Sequence, residues 1–226
     1  MSAMEGMGSA KHNILGSDYV GAFCITTDSY TIIPNGVGKS IKEIVEDTLK
    51  TEVFSAKLAN SDLLGIFGRA NSNGIVLSNT VYEEEMRALG NPNGANIAAI
   101  ESDLNAVGNN IMANDKVAFI NPEYSPKAAK EIGDVLGVEV FPMKIGYFKT
   151  LGATNILTNK GMAINNTVSD EQKEKIEEML GIKTVRTTAN TGSLSIGIAA
   201  LANSYGILVG NSTTGFELAR LIQTLE

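Results

Sequence analysis

Leu64-Gly65-Ile66-Phe67-Gly68-Arg69-Ala70-Asn71-Ser72-Asn73-Gly74-Ile75-Val76-Leu77-Ser78-Asn79 holds one complete beat of the pattern that decides the fold. An aliphatic residue precedes a glycine that opens an apolar segment. A polar turn follows (Asn71-Ser72-Asn73-Gly74), and a second apolar segment runs to a stop at Asn79, 14 residues after Gly65. The same beat opens at Val20-Gly21, Val107-Gly108, Leu151-Gly152 and Ile196-Gly197, so successive glycines stand 44, 43, 44 and 45 residues apart. Its turns are Thr27-Asp28-Ser29, Asn114-Asp115-Lys116, Asn159-Lys160-Gly161 and Asn203-Ser204-Tyr205-Gly206, and its stops are Asn35, Pro122, Asn166 and Asn211. Five units at so even a spacing are an internal repeat, which takes precedence over any local reading.

Within a unit, two apolar runs around an Asn/Asp/Gly turn predict a β-hairpin. A helix follows. Ile41, Ile44, Val45, Thr48 and Leu49 fall on one helical face, as do Ala128, Ala129, Ile132, Val135 and Leu136, and Leu218, Leu221, Ile222 and Leu225. Ser125-Pro126 supplies an N-cap with proline in the first turn. Thr80 with Glu83, Ser169 with Gln172, and Thr214 with Glu217 have the spacing of a capping box. Gly90, Gly137 and Gly181 stand where a left-handed stop belongs. Extended stretches follow at 52–58, 96–101, 138–145 and 182–188. The predicted unit is strand, turn, strand, helix, strand. The fifth helix reaches Glu226 with no strand after it, while His12-Asn13-Ile14-Leu15 stands ahead of Gly21 with no unit before it. A closed ring follows, with the N-terminal strand completing the last unit and covering exposed sheet edges. Residues 1–11 match no repeat and are expected to be a flexible tail, and 12–226 a single domain. The repeated glycines are read as close packing around the ring axis.

Composition narrows the function. The 226 residues are 43% hydrophobic and 19% charged, with 18 basic and 25 acidic residues and a net charge of −7. A protein that coats free DNA or RNA needs a basic surplus to displace counterions, so that class is excluded. One cysteine, Cys24, and one histidine, His12, cannot build an internal disulfide or a His/Cys zinc site. No apolar run reaches the roughly 18 residues of a membrane span, and a soluble cytoplasmic protein without metal or cofactor is expected.

The chemical motifs are thin. Gly38-Lys39-Ser40 resembles the end of a phosphate-binding loop, but Ile33 stands where that loop needs its first glycine, so a helix start is the better reading. Cys24 lies in the apolar run Ala22-Phe23-Cys24-Ile25 and reads as a buried thiol rather than a nucleophile. Glu83-Glu84-Glu85 and Glu177-Glu178 read as solvated helix faces. With no catalytic constellation, a ring of repeats suits a rigid docking surface, and its acidic charge steers it toward a basic partner.

The sequence resembles the archaeal and eukaryotic initiation factor 6 family from about Gly16 to Glu226. The resemblance is carried by Leu104-Asn105-Ala106-Val107-Gly108-Asn109-Asn110, Asn114-Asp115 and Asn121-Pro122. Val138-Glu139-Val140-Phe141, Asn190-Thr191-Gly192-Ser193 and the run from Gly210 to Leu218 add to it. The resemblance implies a pentein: five ββαβ-type units in a pseudo-fivefold closed propeller of class α/β. It implies a non-enzymatic function, binding the large (50S) ribosomal subunit on its intersubunit face near uL14 and the sarcin–ricin loop. That blocks association with the small (30S) subunit and contributes to large-subunit maturation. Release by a Shwachman–Bodian–Diamond-type protein and an elongation-factor GTPase is implied as well. Ribosome-facing positions carried over from the family are Ile66, Asn109, Thr154, Asn190 and Ser195. Ile66, Thr154 and Ser195 differ from the arginine, tyrosine and valine of eukaryotic members, and Phe216 stands where archaeal members usually have proline. A closed ring needs no partner to cover its edges, so the free protein is expected to be monomeric. Two readings compete. Penteins include deiminase-like guanidine-modifying hydrolases, whose nucleophilic cysteine lies late in the chain; here the last unit has neither cysteine nor histidine. The other is a generic protein-binding scaffold ring.

Overall fold

The structure, a computed structural model, describes residues 8–226. An N-terminal strand, β1 (Gly8–Lys11), precedes five units. The first is α1 (Val20–Phe23), β2 (Ile25–Thr26), β3 (Tyr30–Pro34), α2 (Lys39–Leu49) and β4 (Glu52–Ala56). The second is α3 (Leu64–Phe67), β5 (Gly68–Ala70), β6 (Gly74–Ser78), α4 (Glu83–Leu89) and β7 (Asn96–Ile100). The third is α5 (Val107–Asn110), β8 (Ile111–Ala113), β9 (Val117–Ile120), α6 (Pro126–Leu136) and β10 (Glu139–Pro142). The fourth is α7 (Leu151–Thr154), β11 (Ile156–Leu157), β12 (Gly161–Asn165), α8 (Asp170–Leu180) and β13 (Lys183–Thr187). The fifth is α9 (Ile196–Ala199), β14 (Ala200–Ala202), β15 (Gly206–Val209) and α10 (Gly215–Ile222). The described residues form five separate three-stranded sheets: in the first four units the central strand is antiparallel to its hairpin partner and parallel to the strand after the helix, and in the fifth β15 is antiparallel to β14 and parallel to β1. No ladder joins one sheet to the next among the described residues, so the arrangement is not a closed barrel.

The central strands are buried along their whole length, which is why they read as unbroken apolar runs rather than as alternating ones. Burial on both faces comes from neighbouring units. Each of five apolar clusters straddles a boundary: Ile32 with Leu64 and Ile75, Val76 with Ile111 and Ile132, Phe119 with Leu151 and Ile164, Ala163 with Ile196 and Ile207, and Leu208 with Val20 and Val45. The last cluster joins the fifth unit to the first. The helix faces named from periodicity face these clusters, with Val45, Leu49, Ile132, Leu136 and Leu221 fully buried. Capping follows the sequence in two helices: Ser125 Oγ accepts from Ala128 N at 3.1 Å, and Thr214 Oγ1 accepts from Glu217 N at 3.2 Å. Gly137 and Gly181 end their helices at φ +64°.

Four readings need correction. The closing strand is β1, Gly8–Lys11, four residues ahead of the expected His12–Leu15. It runs parallel to β15 from Gly8↔Gly206 to Lys11↔Val209. Residues 8–11 therefore belong to the fifth sheet rather than to a tail; residues 1–7 lie outside the described residues. The apolar tetrad misled because Ile14 is the buried entry to a turn, equivalent to Leu58 and Ile145. The stretches at 52–58 and 138–145 likewise run on to the turn entries Leu58 and Ile145, beyond the strands Glu52–Ala56 and Glu139–Pro142. Second, each repeated glycine sits in a one-turn helix ahead of its hairpin strand, so the unit gains an element. Third, α4 starts at Glu83, so its carboxylate capping the Tyr82 N–H is Glu85 (3.1 Å) rather than Glu83. Fourth, at Ser169 the box is half made, because the Gln172 side chain goes elsewhere.

Candidate functional site

The five one-turn helices form a collar. α1 packs on α3, α3 on α5, α5 on α7, α7 on α9, and α9 back on α1. The contact is backbone on backbone. A Cβ placed on Gly65 would overlap the carbonyl oxygen of Gly21, one on Gly108 that of Gly65, one on Gly152 that of Gly108, one on Gly197 that of Gly152, and one on Gly21 that of Gly197. The cycle of overlaps shows why the period is punctuated by glycine: no other side chain lets the collar close.

Below the collar, the hairpin turns are stitched to one another around the axis. Asn71 Nδ2 donates to the carbonyls of Asn114 (3.0 Å) and Leu136 (2.8 Å), Asn114 Nδ2 to Thr158 O (3.0 Å), and Asn203 Nδ2 to Thr27 O (3.0 Å) and Leu49 O (2.8 Å). Nearby, Asp28 accepts the Ser204 backbone N–H (2.8 Å) and hydroxyl (2.6 Å). Asp115 accepts those of Ser72 (2.7 and 2.9 Å), and Asn159 Nδ2 donates to both aspartates (2.8 and 2.7 Å). The sequence marked these residues as turns; their cross-links emerge only when the units are brought together.

The opposite rim carries the turns that enter the collar and the N-termini of the long helices. Tight turns bridge Ile14 to Ser17, Leu58 to Ser61, Ile145 to Phe148 and Ala189 to Ser193. Their tips adopt positive φ at Leu15, Ala59, Asn60, Asn190 and Thr191, where side chains are strained. In three units a residue of the following helix grips the tip. Glu85 accepts the N–H groups of Ala59 (2.7 Å) and Asn60 (2.8 Å), and Gln172 that of Gly146 (2.8 Å). Glu217 accepts those of Thr191 (3.2 Å) and Gly192 (2.8 Å). Glu217 is 5% exposed. Burial alone would raise its pKa, but hydrogen bonds from the Thr214 N–H, the Thr188 hydroxyl, the Gly192 N–H and the Thr214 hydroxyl outweigh burial and hold it at about 2. Asp18 accepts the Ser212 N–H (2.9 Å) and hydroxyl (2.8 Å), and these bonds lower its pKa.

This rim is where large apolar side chains meet solvent. Tyr147 is 85% exposed and Phe216 77%, and Leu15, Tyr19, Leu63 and Tyr82 are exposed there too; Met179 and Tyr205 are the other two exposed large hydrophobics among the described residues.

The five positions carried over from the family fall at or just inside this rim. Ile66 and Asn109 each follow a collar glycine and are half-buried, and Asn109 Oδ1 is buried without a partner. Ser195 stands just before α9, where its side chain makes no capping hydrogen bond. Thr154 is buried, its hydroxyl donating to Thr150 O at 3.0 Å, so it supports the collar from within. Asn190 sits in a rim turn at φ +47°, its Nδ2 on Asp18 O (2.8 Å) and its Oδ1 on the Thr213 hydroxyl (2.8 Å), joining both ends of the chain. Sequence reasoning passed over Tyr147, the turn-gripping role of Glu85 and Gln172, and Arg69, which projects into the axis. Only the helix-start position of the two grips was readable beforehand.

Cys24 is buried, and burial pushes its thiol pKa up, which suppresses the thiolate a nucleophile needs. Among the described residues no three His, Cys, Asp or Glu side chains converge as a metal site, and no helix is long and apolar enough to cross a membrane. A family model described as the eIF-6 family matches residues 9–224. Translation initiation factor 6 of Picrophilus torridus is 39% identical over 215 residues, covering 95% of this chain and 98% of that protein. The protein of the same name from Saccharolobus islandicus is 35% identical over 215 residues (94% and 96% covered), and that from Thermoplasma acidophilum 34% over 215 residues (95% and 98%). On these matches the chain belongs to the eIF-6 family, whose relatives are named translation initiation factors, which are not enzymes.

Proposed function

We propose that this initiation factor binds the large ribosomal subunit on its intersubunit face and so prevents joining of the small subunit, acting also in large-subunit maturation in the cytoplasm. The fold is read as a pentein, one closed pseudo-fivefold domain that is monomeric when free. The observation that carries the reading is likeness over nearly the whole chain to proteins named translation initiation factor 6. The concentration of exposed aromatic and aliphatic side chains on one rim supports it. The rim, with Ile66, Asn109, Asn190 and Ser195 beside it and Thr154 behind, is the proposed ribosome-facing surface, with the uL14 and sarcin–ricin region as its docking ground. Release is assigned to a Shwachman–Bodian–Diamond-type protein and an elongation-factor GTPase. Blocking is competition for surface, so its extent follows factor concentration against Kd.

The test is co-sedimentation of purified protein with isolated large subunits, isolated small subunits, and both under joining conditions. Migration with the large subunit alone, together with suppressed joining, is the expected result. Absence from both subunit fractions overturns the reading while leaving the five-unit architecture intact.

A further inference from the structure

Along the axis of the molecule lies a partly open cavity of about 40 Å³. Since one water needs roughly 10–15 Å³, the space holds a small cluster rather than a single molecule. Its lining presents more polar than apolar surface: Thr26, Asn155 and Arg69 stand beside the collar residues Gly21 and Gly197 and apolar side chains such as Met112 and Leu157. Into it projects one charge, the guanidinium of Arg69 from β5. Both of its hydrogen bonds come from Nη2, to the carbonyls of Gly108 (2.7 Å) and Gly152 (3.2 Å) on the collar. Nε is buried and meets no acceptor. No carboxylate lines the cavity. Asp28 and Asp115 line a smaller neighbouring cavity toward the hairpin turns, where the Ser204, Ser72 and Asn159 donors already occupy them.

A cation inside a protein without a counter-ion is costly, and arginine sheds its proton too reluctantly to escape the cost by neutralising. Burial does pull the Arg69 pKa down to about 10, which still leaves it charged at neutral pH. Carbonyl dipoles offset part of the charge, and an unused N–H remains. We infer that the axial cavity is an anion site in which a single monovalent halide, accompanied by water, lies against the guanidinium of Arg69. A spherical, singly charged ion matches one cation and the small lining. A tetrahedral oxyanion would need several further donors, and the two other polar side chains of the lining are already engaged, Thr26 with the Thr31 hydroxyl and Asn155 Nδ2 with Leu151 O and Thr154 Oγ1.

Bromide reports the site directly. Crystals of the full chain equilibrated in sodium bromide are expected to show an anomalous peak in the axial cavity beside Arg69, at hydrogen-bonding range from its nitrogens. A cavity filled by water alone, with no bromine signal there at several hundred millimolar bromide, overturns the inference. In solution, Tm is expected to rise with the logarithm of chloride or bromide concentration at constant sodium, with the balance supplied as a bulky organic anion. Arg69→Met is expected to abolish that dependence. A rise of equal size in Arg69→Met, or none in the wild-type protein, overturns it. Should Arg69→Met fail to fold, the bromide map on the wild-type chain decides alone.

Discussion

Glu217 Oε1 accepts the backbone N–H of Gly192 at 2.8 Å across 25 residues of sequence, so the first turn of α10 holds the tip of the turn that leads into the collar. The same carboxylate takes the Thr191 N–H and both donors of Thr214. One side chain therefore closes its own helix and a strained neighbouring turn.

The Glu217 pKa is depressed from 4.5 to about 2, so its stabilisation is complete above pH 4.5 and disappears as pH falls toward 2. A shift of that size corresponds to at most ~3 kcal/mol. Glu217→Gln is expected to lower stability at pH 7 by about 1–3 kcal/mol, with the gap from wild type closing between pH 4.5 and 2. Denaturant melts across that range check it; a gap that stays constant with pH would show that the charge is not what matters.

Gly65→Ala or Gly108→Ala drives a methyl into the carbonyl oxygen of the preceding collar helix. Neither backbone can retreat without disturbing the whole cycle, so a loss of about 3 kcal/mol or more is expected. Gly215→Ala, facing open space at ordinary φ, is expected to stay within about 0.5 kcal/mol. Thermal unfolding of the three variants side by side makes the comparison.

Phe216→Ala and Tyr147→Ala remove exposed rim side chains and should leave Tm unchanged. Under the proposed function, each is expected to weaken large-subunit binding by about 1–2 kcal/mol, roughly tenfold in Kd. Tyr205→Ala, at the hairpin-turn end, is the matched control. Equal losses for all three in sedimentation assays would remove the rim from consideration.

Tyr30 is fully buried and its hydroxyl donates to Asn71 O at 2.9 Å, tying the first unit to the second. Tyr30→Phe is expected to cost about 1–2 kcal/mol by orphaning that bond. Chemical denaturation that finds no change would mean that water replaces the hydroxyl.

The repeat was legible because the collar dictates its residues: Gly21, Gly65, Gly108, Gly152 and Gly197 touch backbone, and chemistry allows no substitute. Ser125 and Thr214 were equally plain, because a cap acts within four residues. The one-turn helices were not visible, since four residues are too few to show a 3.6-residue period. Gly8–Lys11 was passed over because its partner β15 lies about 200 residues away, and because Ile14 offered a more apolar candidate nearby. Arg69 gave no warning; an arginine in a short strand ordinarily faces water, and only closure of the ring encloses it. The rim could not be read as a face, because Leu15, Tyr82, Tyr147 and Phe216 are scattered along the sequence and share only an end of the molecule.

The pairing of β1 with β15 sets a timetable for folding. Gly8–Lys11 leaves the ribosome about 200 residues before its partner Gly206–Val209. Units one to four can each form their sheet as they appear, whereas the fifth sheet and the cluster of Leu208 with Val20 and Val45 must wait until β15 has been made. Contacts of such long range slow folding and leave an intermediate with two unpaired ends. A nascent chain stalled near residue 200 should therefore be protease-sensitive around Gly8–Lys11 and become resistant only after β15 is released.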